Sequence, residues 1–153
     1  MSATGTNASN FKETATAADG GATARNSSAR LWLRRLLVLD AVVTGVNGLA
    51  YLAASGPLGR LLGVGQDSLL WIGAFLVLYA AAVGGLASRP VPAASAVRLV
   101  IDLNLVWVVL SVLAMVFWLD GLSTAGYVWT CLQAAVVGAF AVLQYASLRR
   151  IRP

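Results

Sequence analysis

The stretch LWLRRLLVLDAVVTGVNGLAYLAA, residues 31–54, decides the fold. Arg34 and Arg35 precede about nineteen mostly apolar residues, interrupted only by Asp40, Thr44, Asn47 and Tyr51. Spacings of four, three and four put these polar residues on one side of an α-helix. An apolar helix with a single polar stripe reads as a membrane span that turns one face to a protein interior and the rest to lipid. The expected fold is therefore all-α, a four-helix transmembrane bundle, provided that three more spans can be found.

Three more are found. Leu69–Ala87 (LLWIGAFLVLYAAAVGGLA) carries no charge over nineteen residues, enough to cross a bilayer. Ser88, Arg89, Pro90 and Pro92 end it, and Ser95 is placed to cap the next helix. Leu99–Leu119 (LVIDLNLVWVVLSVLAMVFWL) is the third span, closed by the glycine-bearing turn DGLSTAG, and Tyr127–Leu148 (YVWTCLQAAVVGAFAVLQYASL) the fourth, ending in Arg149, Arg150 and Arg152. The spans are expected at about 36–54, 69–87, 99–119 and 127–148, within a transmembrane domain of residues 29–153. Trp71, Trp118, Tyr127 and Trp129 stand at span ends, where interfacial aromatics belong.

Residues 1–28 are rich in Ala, Thr, Ser, Asn and Gly, and this composition predicts a disordered tail. Arg34–Arg35 followed by leucines imitates a twin-arginine export signal. The apolar run is longer than a signal core, however, and Asp40 and Asn47 do not suit one. In the connection 55–68, Leu58, Leu61 and Leu62 share a face interrupted by Arg60, as in a short amphipathic turn lying on the membrane surface.

Composition agrees. The 153 residues are 59% hydrophobic and 11% charged, with a mean hydropathy of +0.78, against about 25% charged in a soluble domain. The net charge of +5 does not point to nucleic acid, because the basic residues flank apolar blocks rather than cover one folded face. Ten of the eleven, from Lys12 to Arg152, fall on the side of the termini and only Arg60 on the other. The positive-inside rule then puts both termini, and so the tail, in the cytoplasm. With no histidine and one cysteine, Cys131, the chain cannot by itself build a bis-histidine haem site, a histidine zinc site, a Ser–His or Cys–His pair or an internal disulfide. No catalytic constellation, metal site or cofactor is expected. Cys131, inside an apolar helix, reads as a small hydrophobe.

Among the polar residues, Asp40 stands out. A carboxylate near a span centre costs about 2.5–3.5 kcal/mol on insertion scales, which makes it a functional candidate by default. At five residues beyond Arg35, about 7.5 Å deeper, it can be neutralised by a snorkelling arginine or by a proton. Structural pairing is the first reading, and a proton, ion or ligand role the second. Asp102 enters span three one turn after Arg98, at a depth similar to Asp40, so a shared site is conceivable. The helix dipole and Arg98 favour a structural role for it. Asn47 and Asn104 lie deeper and suit bonds between helices, Asn104 aligning with Ser111 and pointing nearly opposite to Asp102. Gln133 and Gln144 share a face of span four and extend the polar interior. The candidate binding residues are thus Asp40, Thr44, Asn47, Tyr51, Asp102 and Asn104. Ala41, Gly45 and Gly48 on span one, and Ala134 and Gly138 on span four, are small faces for close packing. The halves are loosely alike, each opening with arginine and aspartate before two spans.

Through LDAVVTGVNGLAYL…GPLGRLLGV, a later RP, the asparagine of span three, STAGYVW and LQAAVVGAFAVLQ, the chain resembles small uncharacterised four-span integral membrane proteins of actinobacteria, over about residues 31–148. Its layout is more remotely similar to DoxX-like membrane proteins. The resemblance implies four spans and a bacterial inner membrane, and carries no site residues. Two functions are compatible with these features. The first is a non-enzymatic accessory or envelope-associated protein whose partners are membrane lipids and either another membrane protein or a second copy. The alternative is a small transporter or a proton- or solute-binding protein that uses the polar stripe of span one.

Overall fold

The computed structural model describes residues 5–117 and 121–151, with side chains from Asn26 onward. Trp118, the end of the third span and Arg152 lie outside the described residues, as do the side chains of Lys12 and Arg25. Five helices follow one another: α1 Gly5–Ala53, α2 Ser55–Leu62, α3 Gln66–Ala87, α4 Ala94–Phe117 and α5 Thr124–Arg150. Four of them contain segments long and apolar enough to cross a membrane, at Asn26–Ala53, Gln66–Ala87, Ala94–Phe117 and Thr124–Arg150. The expected all-α four-helix transmembrane bundle is the observed architecture.

Two boundaries differ from expectation. The backbone of α1 runs as helix back to Gly5, through the stretch for which composition predicts disorder. Extending an existing helix costs only propagation, and the alanines of this stretch are strong helix formers. Ser95 falls inside the first turn of α4 rather than at its cap, because the helix opens one residue earlier and the Val97 amide donates to the Ala93 carbonyl.

The surface is inverted relative to a water-soluble bundle. Val46, Leu78, Phe117 and Val142 are among many large apolar residues that face outward, while Asp40, Asn104, Ser111 and Gln144 are buried. Lipid is the surrounding that makes such an exterior favourable.

The spans form two antiparallel hairpins, α1 with α3 and α4 with α5, joined chiefly along the α1–α5 seam. The first is the tighter. A Cβ on Gly48 would stand 2.9 Å from the Gly73 carbonyl oxygen, and one on Gly73 would stand 2.9 Å from the Gly48 carbonyl oxygen, so only glycine lets these backbones meet. The small face of α1 therefore packs within one chain, Gly45 lying against Ala80.

Packing differs between the two ends of the bundle. At the end that carries Arg34, Arg89 and Arg149, Leu33, Leu37, Val83, Ala87, Val97, Val100, Ile101 and Ala141 form a core drawn from all four spans. At the α2 end, the core of Tyr51, Leu62, Leu69 and Leu76 comes from α1, α2 and α3, with Trp107 packed against it from α4. There α5 reaches the core through Trp129 and Gln133, which are hydrogen-bonded to Tyr51.

The connection 55–68 does more than rest on a surface. Leu62 of α2 is buried and Leu58 half-buried, leaving Leu61 and Arg60 exposed. Gly63 ends α2 in the left-handed conformation at φ 71°, a position glycine occupies without strain. The α4–α5 turn is fastened to it. The Ser123 amide donates to the Leu62 carbonyl at 3.1 Å, and the Ser123 hydroxyl donates to the Leu61 carbonyl at 2.5 Å. The same hydroxyl oxygen accepts from the Gly126 amide at 3.0 Å, capping α5.

Candidate functional site: a buried carboxylate and an adjoining groove

The polar stripe of α1 divides into two sites. Asp40, fully buried, is the hub of the first. Its Oδ2 accepts from Asn104 Nδ2 of α4 and from Gln144 Nε2 of α5, each at 2.9 Å. Its Oδ1 accepts from the Thr44 hydroxyl one turn along at 3.3 Å. The Tyr79 hydroxyl of α3 donates to Asn104 Oδ1 at 2.8 Å. All four spans thus join one network around the carboxylate, α3 through Asn104, and the network ties the two hairpins together.

Among the described residues, every donor to Asp40 is electrically neutral. The expected arginine pairing is not formed, because the arginines have other positions. Arg34 Nε donates to the Ala87 carbonyl at 3.1 Å, satisfying the C-terminus of α3 and complementing its dipole. Arg35 lies over the Trp32 ring at 6.0 Å, and Arg98 is exposed. Asp102 is also exposed and does not join Asp40. It stands two residues from Asn104, so a helix can turn only one of them inward, and the amide is the one buried.

The network leaves one group over. Gln144 is fully buried, and its Oε1 has no hydrogen-bond partner among the described residues. A buried acceptor without a donor is uncommon and costs about 1–3 kcal/mol.

The second site centres on Tyr51, eleven residues along α1 and about 16 Å from Asp40 by helical rise. Its hydroxyl oxygen accepts from Trp129 Nε1 at 2.8 Å and from Gln133 Nε2 at 2.6 Å, both on α5. These atoms border a groove of about 620 Å³ between α1 and α5, its end closed by Leu58, Leu61 and Leu62 of α2. Thr44, Asn47 and Ala50 line it from α1, Leu132 and Val136 from α5, and Leu76 and Trp107 form its back. A smaller cleft of about 140 Å³ opens on the α3–α4 side, against Tyr79 and Asn104. Thr44, Leu76, Trp107 and Val137 border both spaces and form the partition between them. Thr44 therefore touches the groove with one part of its surface and Asp40 with its hydroxyl.

Of the residues expected at a site, Asp40, Thr44 and Asn104 share the carboxylate network, Tyr51 and Asn47 belong to the groove, and Asp102 to neither. Gln133 and Gln144 both turn inward, as their common face required. Sequence reasoning gave no role to Tyr79, although a lone hydroxyl in an uncharged span was a usable signal. It placed Trp129 in an interfacial belt, whereas the indole N–H is bonded to Tyr51. Cys131 is exposed on the apolar exterior, its thiol 3.4 Å from the Met115 sulfur. Among the described residues no cluster of His, Cys, Asp or Glu is arranged to hold a metal ion. No family model, curated protein or solved structure matches the chain.

Proposed function

We propose that this chain is a ligand-binding integral membrane protein. It holds a small lipophilic molecule with an acceptor oxygen, a carbonyl or ester, in the groove between α1 and α5. The supporting observation is the state of Tyr51. Its hydroxyl oxygen already receives two hydrogen bonds, so the phenolic proton remains to be donated, and the described residues offer it no acceptor. Asn47 adds a half-buried amide to the same wall, and the rest of the lining is mainly apolar. An apolar body with one acceptor atom suits such a space, and a volume of about 620 Å³ lies within the usual range of ligand sites. The groove favours this alternative over the accessory or envelope-associated role, in which a chain partner would carry the function. The resemblance to actinobacterial four-span proteins supports a bacterial inner-membrane location, and the distribution of basic residues supports termini in the cytoplasm. The ligand then enters sideways from the hydrocarbon layer, with Tyr51 toward the outer face.

The experiment is retention of two probes by the purified full chain, read by native mass spectrometry. One probe is a long-chain fatty acid methyl ester, the other an alkane of equal length. The ester is expected to be held in preference to the alkane. Loss of one net hydrogen bond of about 0.5–1.5 kcal/mol in Tyr51→Phe weakens its retention about two- to tenfold. Equal retention of ester and alkane, or no effect of Tyr51→Phe, contradicts the proposal.

A further inference from the structure

A carboxylate drawn fully out of solvent requires a compensating charge, a metal or a proton. Among the described residues Asp40 has three hydrogen-bond donors and none is a cation. The groups facing it can be named helix by helix. On α1 these are Thr44 and, nearly two turns away, Arg34, which is bonded to the Ala87 carbonyl. Tyr79 of α3 reaches the network only through Asn104 Oδ1 and, at 3.4 Å, the Val100 carbonyl. On α4 the facing group is Asn104, since Arg98 and Asp102 are exposed. On α5 it is Gln144, Tyr145 and Arg149 being exposed and stacked on one another at 5.7 Å.

The two amides are not held alike. The orientation of Asn104 is fixed at both ends, its nitrogen by Asp40 and its oxygen by the Tyr79 hydroxyl at 2.8 Å. Gln144 is held by its nitrogen alone, and its oxygen is the orphaned acceptor. An ionised Asp40 takes the arrangement observed, with both nitrogens donating to Oδ2. A protonated Asp40 has an O–H to donate, and the one neighbouring acceptor without a donor is Gln144 Oε1, brought into line when that amide turns over. A metal cation in the same place would need both amides to present oxygen, and Tyr79 holds Asn104 against that.

We propose that Asp40 is a proton-binding site, loaded from the groove through the Thr44 hydroxyl, with the Gln144 amide turning to accept the bound proton. In the loading step Thr44 Oγ1 passes its hydrogen to Oδ1 of the carboxylate and takes another from a hydronium ion that has entered the groove, which is left as water. The O–H bond at Thr44 is broken and reformed, one O–H bond of the hydronium ion is broken, one O–H bond is made at Asp40, and no electrons change hands. A half-turn of the carboxyl group about its Cβ–Cγ bond then brings the protonated oxygen to face Gln144. Loading also changes how the hairpins hold together, because a neutral carboxyl is a weaker acceptor for Asn104 and Gln144 than a carboxylate.

The test is infrared difference spectroscopy of the full chain in lipid vesicles, with carbon-13 in the aspartate carboxyls. It needs no lipophilic ligand, so it fails or succeeds independently of the groove proposal. A deuterium-sensitive carboxyl band is expected in the difference spectrum between acidic and alkaline buffer. It should be absent in Asp40→Asn and retained in Asp102→Asn. Thr44→Val should slow its deuterium exchange by about tenfold or more. Gln144→Met, which keeps the carboxyl if Asp40→Asn fails to fold, should move the band because its acceptor is gone. Three results overturn the inference: no titrating band that depends on Asp40, a band unmoved in Gln144→Met, or loss of the proton on adding sodium at constant pH, which would make the occupant a metal cation.

Discussion

Replacing Asp40 by alanine and by asparagine separates what the carboxylate shape contributes from what its charge contributes. In Asp40→Ala, Asn104 Nδ2 and Gln144 Nε2 lose an acceptor that both now reach at 2.9 Å. Two average interhelical bonds in a membrane amount to about 1.2 kcal/mol, since helices apart in lipid find other partners. Two buried donors left unsatisfied cost about 2–6 kcal/mol. Asn104 is only 4% exposed and Gln144 fully buried, so re-partnering is restricted, and we expect a loss of about 2–4 kcal/mol. In Asp40→Asn, the amide oxygen can occupy the Oδ2 position and accept from both neighbours. Its nitrogen then faces Thr44, whose hydroxyl can turn to accept at the existing 3.3 Å spacing. Every contact survives and the uncompensated charge is gone, so the change should lie within about 1 kcal/mol of wild type or be stabilising. Reversible unfolding in mixed micelles with increasing dodecyl sulfate measures both variants. A loss in Asp40→Asn as large as in Asp40→Ala would refute the reasoning, because it would mean that a cationic partner holds the carboxylate.

Four further substitutions probe the frame with the same unfolding assay. Gly48→Ala places a methyl 2.9 Å from the Gly73 carbonyl and must part α1 from α3, at about 1–3 kcal/mol, whereas Gly85→Ala meets nothing within 4 Å and should cost nothing. Ser123→Ala removes the α5 cap and the bond to the Leu61 carbonyl. The expected loss is about 1–2 kcal/mol, together with faster amide hydrogen exchange across α2. Asp102→Asn alters an exposed group outside both sites and should stay within about 0.5 kcal/mol of wild type, a larger loss showing that Asp102 has a buried role.

The number and order of the spans could be read from hydropathy, and the polar face of α1 from the spacing of Asp40, Thr44, Asn47 and Tyr51. What could not be read was how that face is shared. A stripe tells which way side chains point but not which helix meets each turn, so one stripe serves two sites about 16 Å apart. The partner of Asp40 was misassigned for a related reason. Arginine is the natural partner by charge, but the C-terminus of α3 ends beside Arg34 and takes its guanidinium. Amides from α4 and α5 then fill the carboxylate's surroundings, a long-range outcome that only the packing decides. Asp102 and Asn104 were separable in principle, being two residues apart on a helix, but nothing local says which of them faces inward. The equivalence of the two halves ends at these acids, one buried and one exposed. The amphipathic α2 was legible as an element, while its place closing the groove depends on Ser123, about sixty residues away.

The groove proposal is tested most directly by where a membrane-dissolved photoreactive ester attaches. A long-chain fatty acyl methyl ester carrying a diazirine is added to vesicles holding the full chain, and adducts are mapped by mass spectrometry. The account predicts saturable labelling of Ala50, Leu132 and Val136 in the groove, competed by unlabelled methyl ester and weakened in Tyr51→Phe, with unsaturable labelling of outward-facing Leu78 and Val142. Labelling that is unsaturable and equal at the groove and at Leu78 and Val142 would contradict it.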